Sequence, residues 1–181
     1  MADFNRVKVD VEDGVAVLTL NHPEVMNAIS LDMLEGLIEA FDFIEDRANG
    51  VRCVVMTGAG KGFCAGANLQ GRNTSTSKSG GAGSVLESHY HPLLRRMRRL
   101  HCPMLTAING AAAGAGMSLS LMGDLKLAAK SAYFLQAFRR IGLVPDAGST
   151  YMLPRLIGTA RSMELSLLGE KLPAEKALDW G

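Results

Sequence analysis

CVVMTGAGKGFCAGANL, residues 53–69, divides into two halves that decide the fold class of this chain. Cys53 to Gly58 is apolar on both faces, as in a short strand buried within a parallel sheet. The second half is a glycine-rich loop running toward a short helix. Upstream, Ser30 stands as an N-cap before Leu34, Leu37, Ile38, Phe41 and Ile44 at helical spacing, and Asn49-Gly50 is the stop signal. Earlier still, Val7, Val9 and Val11 alternate with Arg6, Lys8 and Asp10, and Asp13-Gly14 then supplies a tight primed turn into VAVLTL, residues 15–20. The segment NHPEVMNAI, residues 21–29, reads as a loop, with Pro23 barring regular structure. Strand, helix and strand in that order predict a right-handed crossover and an α/β architecture.

The pattern resumes downstream. Residues 71–84, GRNTSTSKSGGAGS, have almost nothing to bury and are expected to stay open until something binds. A second amphipathic helix follows, with Leu86, Tyr90, Leu93, Leu94, Met97 and Leu100 on one side and Arg95, Arg96, Arg98 and Arg99 around the other. Pro103 ends it, and MLTAI (104–108) is another short buried strand. NGAAAGAGMSLSLMGD (109–124) is a second loop of small residues feeding a helix; LKLAAK and AYFL read as strands; residues 141–158 form a turn and a helix. SMELSLLGEKLPAEKALDWG (162–181) begins two more helices, and no internal repeat is visible.

Composition narrows the function classes. The chain has 181 residues, 48% hydrophobic and 20% charged, with 19 Lys and Arg against 18 Asp and Glu. That suits one globular domain. A net charge of +1 lacks the basic footprint of a nucleic-acid binder. No apolar run approaches the roughly eighteen residues of a membrane span, and MADFNRVKVD has no signal-peptide core. Cys53, Cys64 and Cys102, an odd number at unrelated spacings, read as reduced thiols in a cytoplasmic protein.

Three loops are candidates for chemistry. TGAGKGFCAG (57–66) follows a strand, as a phosphate-cradling loop would, yet Phe63 stands where the dinucleotide fingerprint wants glycine and no GK[ST] triplet is present. A tight strand-to-helix turn is the competing reading. In residues 110–116 bulky side chains are excluded, either for close helix–sheet packing or to let a substrate reach backbone N–H groups. Two such loops could aim two N–H donors at one oxygen, an arrangement in which each donor is worth on the order of a hundred- to a thousand-fold in rate. The third is Pro145-Asp146-Ala147-Gly148-Ser149-Thr150, where Asp146 reads as a helix N-cap or as a catalytic carboxylate. His89, His91 and Glu87 make a poor metal set, Ser118 and Ser120 lack a base, and the arginine cluster reads as a solvated helix face.

Four segments, NHPEVMNAIS (21–30), VVMTGAGKGFCAGANL (54–69), NGAAAGAGMSLSLMGDLKLA (109–128) and GLVPDAGSTYMLPRLIG (142–158), resemble the enoyl-CoA hydratase/isomerase (crotonase) superfamily in order and spacing. The resemblance covers nearly the whole chain. It implies an α/β, crotonase-like (ClpP/crotonase) fold of repeated β-β-α units and an acyl-CoA thioester substrate. It also implies two backbone N–H groups that hold the thioester enolate, and assembly as homotrimers or hexamers. By this resemblance the oxyanion donors fall on Ala67 and Ala115, and the coenzyme runs past Val25, Ala28, Ala65 and Asn68. Asn68 departs from the usual aspartate. Hydratases of the superfamily carry two glutamates; Ser118 and Phe138 occupy those positions here, which disfavours hydration. Asp146 matches the single acid/base aspartate of the branch that isomerises ring-epoxidised phenylacetyl-CoA and shifts β,γ double bonds into conjugation. Phe138, with Leu135 and Met117, would dry the pocket and raise the Asp146 pKa, whereas an N-cap role would lower it.

No metal, nicotinamide or flavin is implied, since coenzyme A comes with the substrate. The alternatives are another reaction of the superfamily, such as hydration or hydrolysis, or a non-catalytic relative binding acyl-CoA or, through its arginines, RNA. Superfamily members usually continue with a helical lid and trimerisation region, so a chain ending at Gly181 is expected to be weakly active at most.

Overall fold

The computed structural model describes residues 1–68 and 82–181. The helix expected after the glycine-rich loop and the open stretch expected at 71–81 lie outside the described residues. Residues 82–84, the end of that stretch, are helical.

Three antiparallel strands open the chain: β1 (Ala2–Phe4), β2 (Val7–Glu12) and β3 (Val15–Leu20). The Asp13-Gly14 turn has φ of +49° and +81°, the two positive values that a primed hairpin turn requires. Alternation along β3 buries Ala16, Leu18 and Leu20 and leaves Val15 and Val17 outside. Pro23 does not forbid regular structure; it begins a one-turn 3₁₀ helix, Pro23–Val25, where its missing N–H costs nothing.

Helix α1 (Leu31–Glu45) starts where predicted, with the Ser30 hydroxyl accepting the Met33 N–H at 3.2 Å. It ends before Asn49-Gly50. The Asp46 carboxylate accepts the Ala48 N–H at 3.0 Å and starts a separate 3₁₀ turn, Arg47–Asn49, which Gly50 closes at φ +64°.

The remaining strands come in pairs. β4 (Cys53–Gly58) is followed by β5 (Gly62–Cys64), β6 (Met104–Ile108) by β7 (Ala111–Ala113), and β8 (Leu125–Ala128) by β9 (Tyr133–Leu135). The first strand of each pair joins one sheet, in the order β1-β2-β3-β4-β6-β8 and parallel from β3 onward. The second strands lie parallel in another sheet, where β10 (Lys171–Pro173) adds an antiparallel edge: β10-β9-β7-β5. Helices complete these β-β units. α2 (Ala82–Val85), a π-type turn (Leu86–Tyr90) and α3 (His91–Arg98) follow β5, and the wholly buried α4 (Ala115–Ser120) follows β7. α5 (Ser149–Ile157), α6 (Thr159–Leu168) and α7 (Ala174–Trp180) form the last part of the chain.

The apolar stripes of α1 and α3 supply Leu34, Leu37, Phe41, Ile44, Leu93 and Met97 to the same core as Val9, Leu18, Met56 and Met104 of the larger sheet. One arginine belongs to this packing. Arg96 reaches from α3 to α1, its Nε and Nη2 lying 2.9 and 2.6 Å from Glu45 Oε2 and its Nη2 2.5 Å from Asp42 Oδ1. The arginine cluster is therefore not uniformly a solvated face, because its central member is used as an interhelical clamp.

Candidate active site

The site is built from three loops. The first joins residues 21–29 to the stretch after β4. Asn27, buried with φ +55°, donates from its amide to the carbonyls of Ala59 (2.9 Å), Gly62 (2.9 Å) and Phe63 (3.2 Å). Its Oδ1 accepts the His22 N–H at 2.8 Å. Backbone bonds continue the seam, from Ala65 N–H to Met26, Ile29 N–H to Gly66 and Asn68 N–H to Ile29, at 2.9, 2.7 and 2.8 Å. Val25, Ala28, Ala65 and Asn68 are thereby brought onto two laced loops; Ala65 is exposed and the other three are half-buried. Ile29 bonds to both residues flanking Ala67, so the Ala67 N–H points away from that ladder.

The second loop joins β7 to α4. Gly114, at φ +51°, donates its N–H to the Leu135 carbonyl at 2.9 Å. Ala115 is the first residue of α4, so its N–H has no intrahelical acceptor; the Ser118 N–H makes the first bond back, to Gly114, at 3.1 Å. This loop meets the first one. A Cβ on Gly66 would stand 2.8 Å from the Ala113 carbonyl oxygen and 3.6 Å from the Ala115 nitrogen. A Cβ on Gly116 would run into the Cys64 carbonyl. For Gly116 the small side chain thus serves close packing, and that packing sets α4 directly on β5.

Asp146 lies on the third loop. Its carbonyl accepts the hydroxyls of Ser118 (3.0 Å) and Ser149 (2.9 Å) and the Ser149 N–H (3.0 Å). Ser118 also reaches the Gly114 carbonyl at 3.3 Å, so one hydroxyl holds the Asp146 backbone to the helix that begins at Ala115. The N-cap expectation for Asp146 is overturned. Gly148, at φ +83°, occupies the N-cap of α5, and Asp146 Oδ1 is buried without a hydrogen-bond partner among the described residues. Burial raises the Asp146 pKa above its ordinary value, and the charge of His91 partly opposes this. Ala147 is 2% exposed and left-handed at φ +48°, a conformation costing a non-glycine residue about 1–2 kcal/mol.

Phe138 is buried in the 3₁₀ turn Ala137–Ile141, and its carbonyl accepts the Leu143 N–H at 3.0 Å, within the loop that carries Asp146. Ser118 is fully buried. Met117 lines an apolar groove with Leu121, Leu127, Phe134, Leu156 and Leu178. The residues considered for a metal are engaged otherwise: His89 Nδ1 lies 2.7 Å from the Ser88 hydroxyl, and His91 Nδ1 lies 3.4 Å from Glu87 Oε1. No cluster of three or more His, Cys, Asp or Glu among the described residues could hold a metal ion. Nor is any helix among them long and apolar enough to cross a membrane.

Several structural roles here escaped the sequence reading. Asn27 seals the first loop, and the Ser118 hydroxyl anchors the Asp146 backbone. The available signals were a lone asparagine among loop residues and a serine inside an otherwise apolar helix.

Residues 10–181 match the family model for enoyl-CoA hydratase/isomerase. The chain is 48% identical to 1,2-epoxyphenylacetyl-CoA isomerase of Escherichia coli K12, over 94% of this chain and 65% of that protein. It is 33% identical to trans-2-decenoyl-[acyl-carrier-protein] isomerase of Streptococcus mutans, over 99% of this chain and 68% of that one. Among solved structures, enoyl-CoA hydratase from Bacillus anthracis superposes with a TM-score of 0.87 at 36% identity, covering 97% of this chain and 67% of the other. The chain thus spans about two thirds of the length of the relatives it matches. With its split β-β-α units distributed over two sheets, it belongs to the enoyl-CoA hydratase/isomerase family and has the crotonase fold.

Proposed function

We propose that the protein is an acyl-CoA isomerase that moves a β,γ double bond into conjugation or converts a ring-epoxidised phenylacetyl-CoA to its oxepin isomer. Asp146 is the single acid/base. It takes a proton from the carbon beside the thioester and returns one at a different carbon, while the backbone N–H groups of Ala67 and Ala115 hold the enolate oxygen. Val25, Ala28, Ala65 and Asn68 carry the coenzyme, and Phe138 keeps water from the reacting carbons. The reaction calls for no resident cofactor. A cytoplasmic homotrimer or hexamer completes the reading.

One observation carries it. Asp146 is a half-buried residue whose carboxyl oxygen Oδ1 is buried and has no hydrogen-bond partner among the described residues, while Ser118 and Phe138 supply no second carboxylate. A buried carboxyl whose pKa is raised is a better proton carrier near neutrality than an exposed one. Hydration needs a group to position and activate water, and the Ser118 hydroxyl already donates to backbone carbonyls. The relatives named for isomerases support the same choice.

The test compares wild type with Asp146→Asn on a β,γ-enoyl-CoA and on a conjugated enoyl-CoA, following thioester conjugation. Isomerisation that collapses in the variant, with negligible hydration in either protein, is the expected result. Hydration that survives the substitution would overturn it.

A further inference from the structure

Gln136 is fully buried, and neither Oε1 nor Nε2 of its amide has a hydrogen-bond partner among the described residues. The large majority of buried side-chain amides are paired, so an amide with both ends open at this depth calls for a partner from outside the polypeptide. No local role accounts for it. Gln136 stands at the N-cap of the 3₁₀ turn Ala137–Ile141, and its side chain makes no capping bond.

Its place is set by the strands. β9 pairs with β7 in the register Ala113↔Leu135, and the Gly114 N–H donates to the Leu135 carbonyl at 2.9 Å. Gln136 therefore leaves β9 where the opposite chain enters Gly114 and Ala115. Gly114 is buried, yet a Cβ built on it would meet no heavy atom of the described residues within 4 Å beyond its own chain neighbours. Interior room thus lies beside the loop that bears the Ala115 N–H. The Gly114 carbonyl in turn accepts the Ser118 hydroxyl at 3.3 Å, the hydroxyl that also holds the Asp146 backbone. One glycine joins the strand end that carries the open amide to the loop that carries the open carboxyl oxygen.

We propose that Gln136 is a specificity-determining residue whose amide receives an oxygen atom of the acyl group, so that the substrate class is an oxygen-bearing acyl-CoA. This rests on the isomerase reading and narrows it to the epoxide substrate. A hydrocarbon acyl group in that space leaves both ends of the amide unpaired. An epoxide oxygen accepts from Nε2, and a hydroxyl pairs both ends. Sites built to hydrogen-bond a substrate oxygen discriminate against analogues that lack it, because the protein's own buried polar group is then stranded. The amide moves no proton and forms no covalent bond; Asp146, Ala67 and Ala115 keep the roles proposed for them.

The test compares kcat/KM for two substrates of equal carbon count: ring-epoxidised phenylacetyl-CoA, and cyclohexenylacetyl-CoA, a β,γ-enoyl-CoA without ring oxygen. Wild type is expected to favour the epoxide. Gln136→Leu should lower kcat/KM for the epoxide by about 10–100-fold and leave the hydrocarbon substrate within a few-fold of wild type. A structural role would lower both together and keep their ratio. An unchanged ratio therefore overturns the proposal and assigns the amide to a buried water, and a wild type that favours the hydrocarbon overturns it too. Should Gln136→Leu fold poorly by circular dichroism, Gln136→Met, unbranched and close in length, carries the same comparison. An unchanged ratio beside a dead Asp146→Asn removes the oxygen contact and leaves the isomerase reading standing. An active Asp146→Asn removes that reading instead.

Discussion

Asn27 and Asp146 are both polar side chains held in irregular backbone beside the same site, and they are treated in opposite ways. Asn27 donates to three carbonyls and accepts one N–H, so its hydrogen-bonding capacity is used on protein. Asp146 has its backbone carbonyl held by two hydroxyls and an N–H, yet Oδ1 of its carboxyl has no partner among the described residues. The fold fixes where the Asp146 backbone is without engaging Oδ1 of its carboxyl among the described residues, which is what the proposed acid/base role requires. A saturated polar group stabilises; an immobilised but unsaturated one costs stability and is free to act.

The sharpest way to break this contrast is to neutralise each side chain in turn. Asp146→Asn should lower the isomerisation rate by about 10²–10⁴-fold, the usual worth of a general acid/base, without loss of fold by circular dichroism. It should also alter the pH dependence of stability. Because burial raises the Asp146 pKa, the folded chain holds that proton more tightly than the unfolded chain does. The stabilising contribution is full below the ordinary carboxyl range and is lost as pH rises through the raised value. In denaturant titrations the variant should therefore gain on wild type as pH rises through that window; a variant that loses ground there would contradict the desolvated carboxylate.

Asn27→Ala should do the reverse of Asp146→Asn and act on stability first. Stranding several buried carbonyls and an N–H is expected to cost about 3–5 kcal/mol, read as a lower denaturant midpoint. A loss under 1 kcal/mol would mean that water replaces the amide. Arg96→Ala, which removes the clamp between α3 and α1, should cost about 1–3 kcal/mol and leave the chemistry near Asp146 in place. The smallest effect concerns Cys64, whose thiol burial pushes up to about 12. Under native conditions a thiol reagent should leave Cys64 unmodified while the half-buried Cys53 and Cys102 react slowly, and all three should react after unfolding.

Much of the fold was legible because its signals are local. Ser30 caps the helix it was expected to cap, and Asp13-Gly14 turns the hairpin. Cys53–Gly58 is parallel on both sides, as its two apolar faces implied. The three-residue strands β5, β7 and β10 were not legible. Alternation cannot show in GFC, AAA or KLP, and what makes these strands is their neighbours in the sheet. The site divides in the same manner. The four family-like segments carry Ala67, Ala115 and Asp146 on three loops, and the structure sets the backbone at Gly66, next to Ala67, so close to Ala113 that a Cβ there would meet the Ala113 carbonyl at 2.8 Å. The hydroxyl that anchors Asp146 is 28 residues away in sequence, and no local pattern announces such a bond. The N-cap expectation failed for a backbone reason: two successive left-handed residues, Ala147 and Gly148, move the helix start past the aspartate.

The sharing of each strand pair between two sheets also bears on how the chain reaches this state. Thr57 donates to the Ala107 carbonyl across 50 residues, and every parallel ladder joins strands from different units. No unit can complete either sheet alone, unlike a solenoid repeat that needs only its neighbour. Such distant pairing delays the reward for closing each loop, so folding belongs to the millisecond-to-second regime of non-local topologies. A chain cut between β5 and β6 should yield two halves that are unstructured apart and gain structure together when mixed.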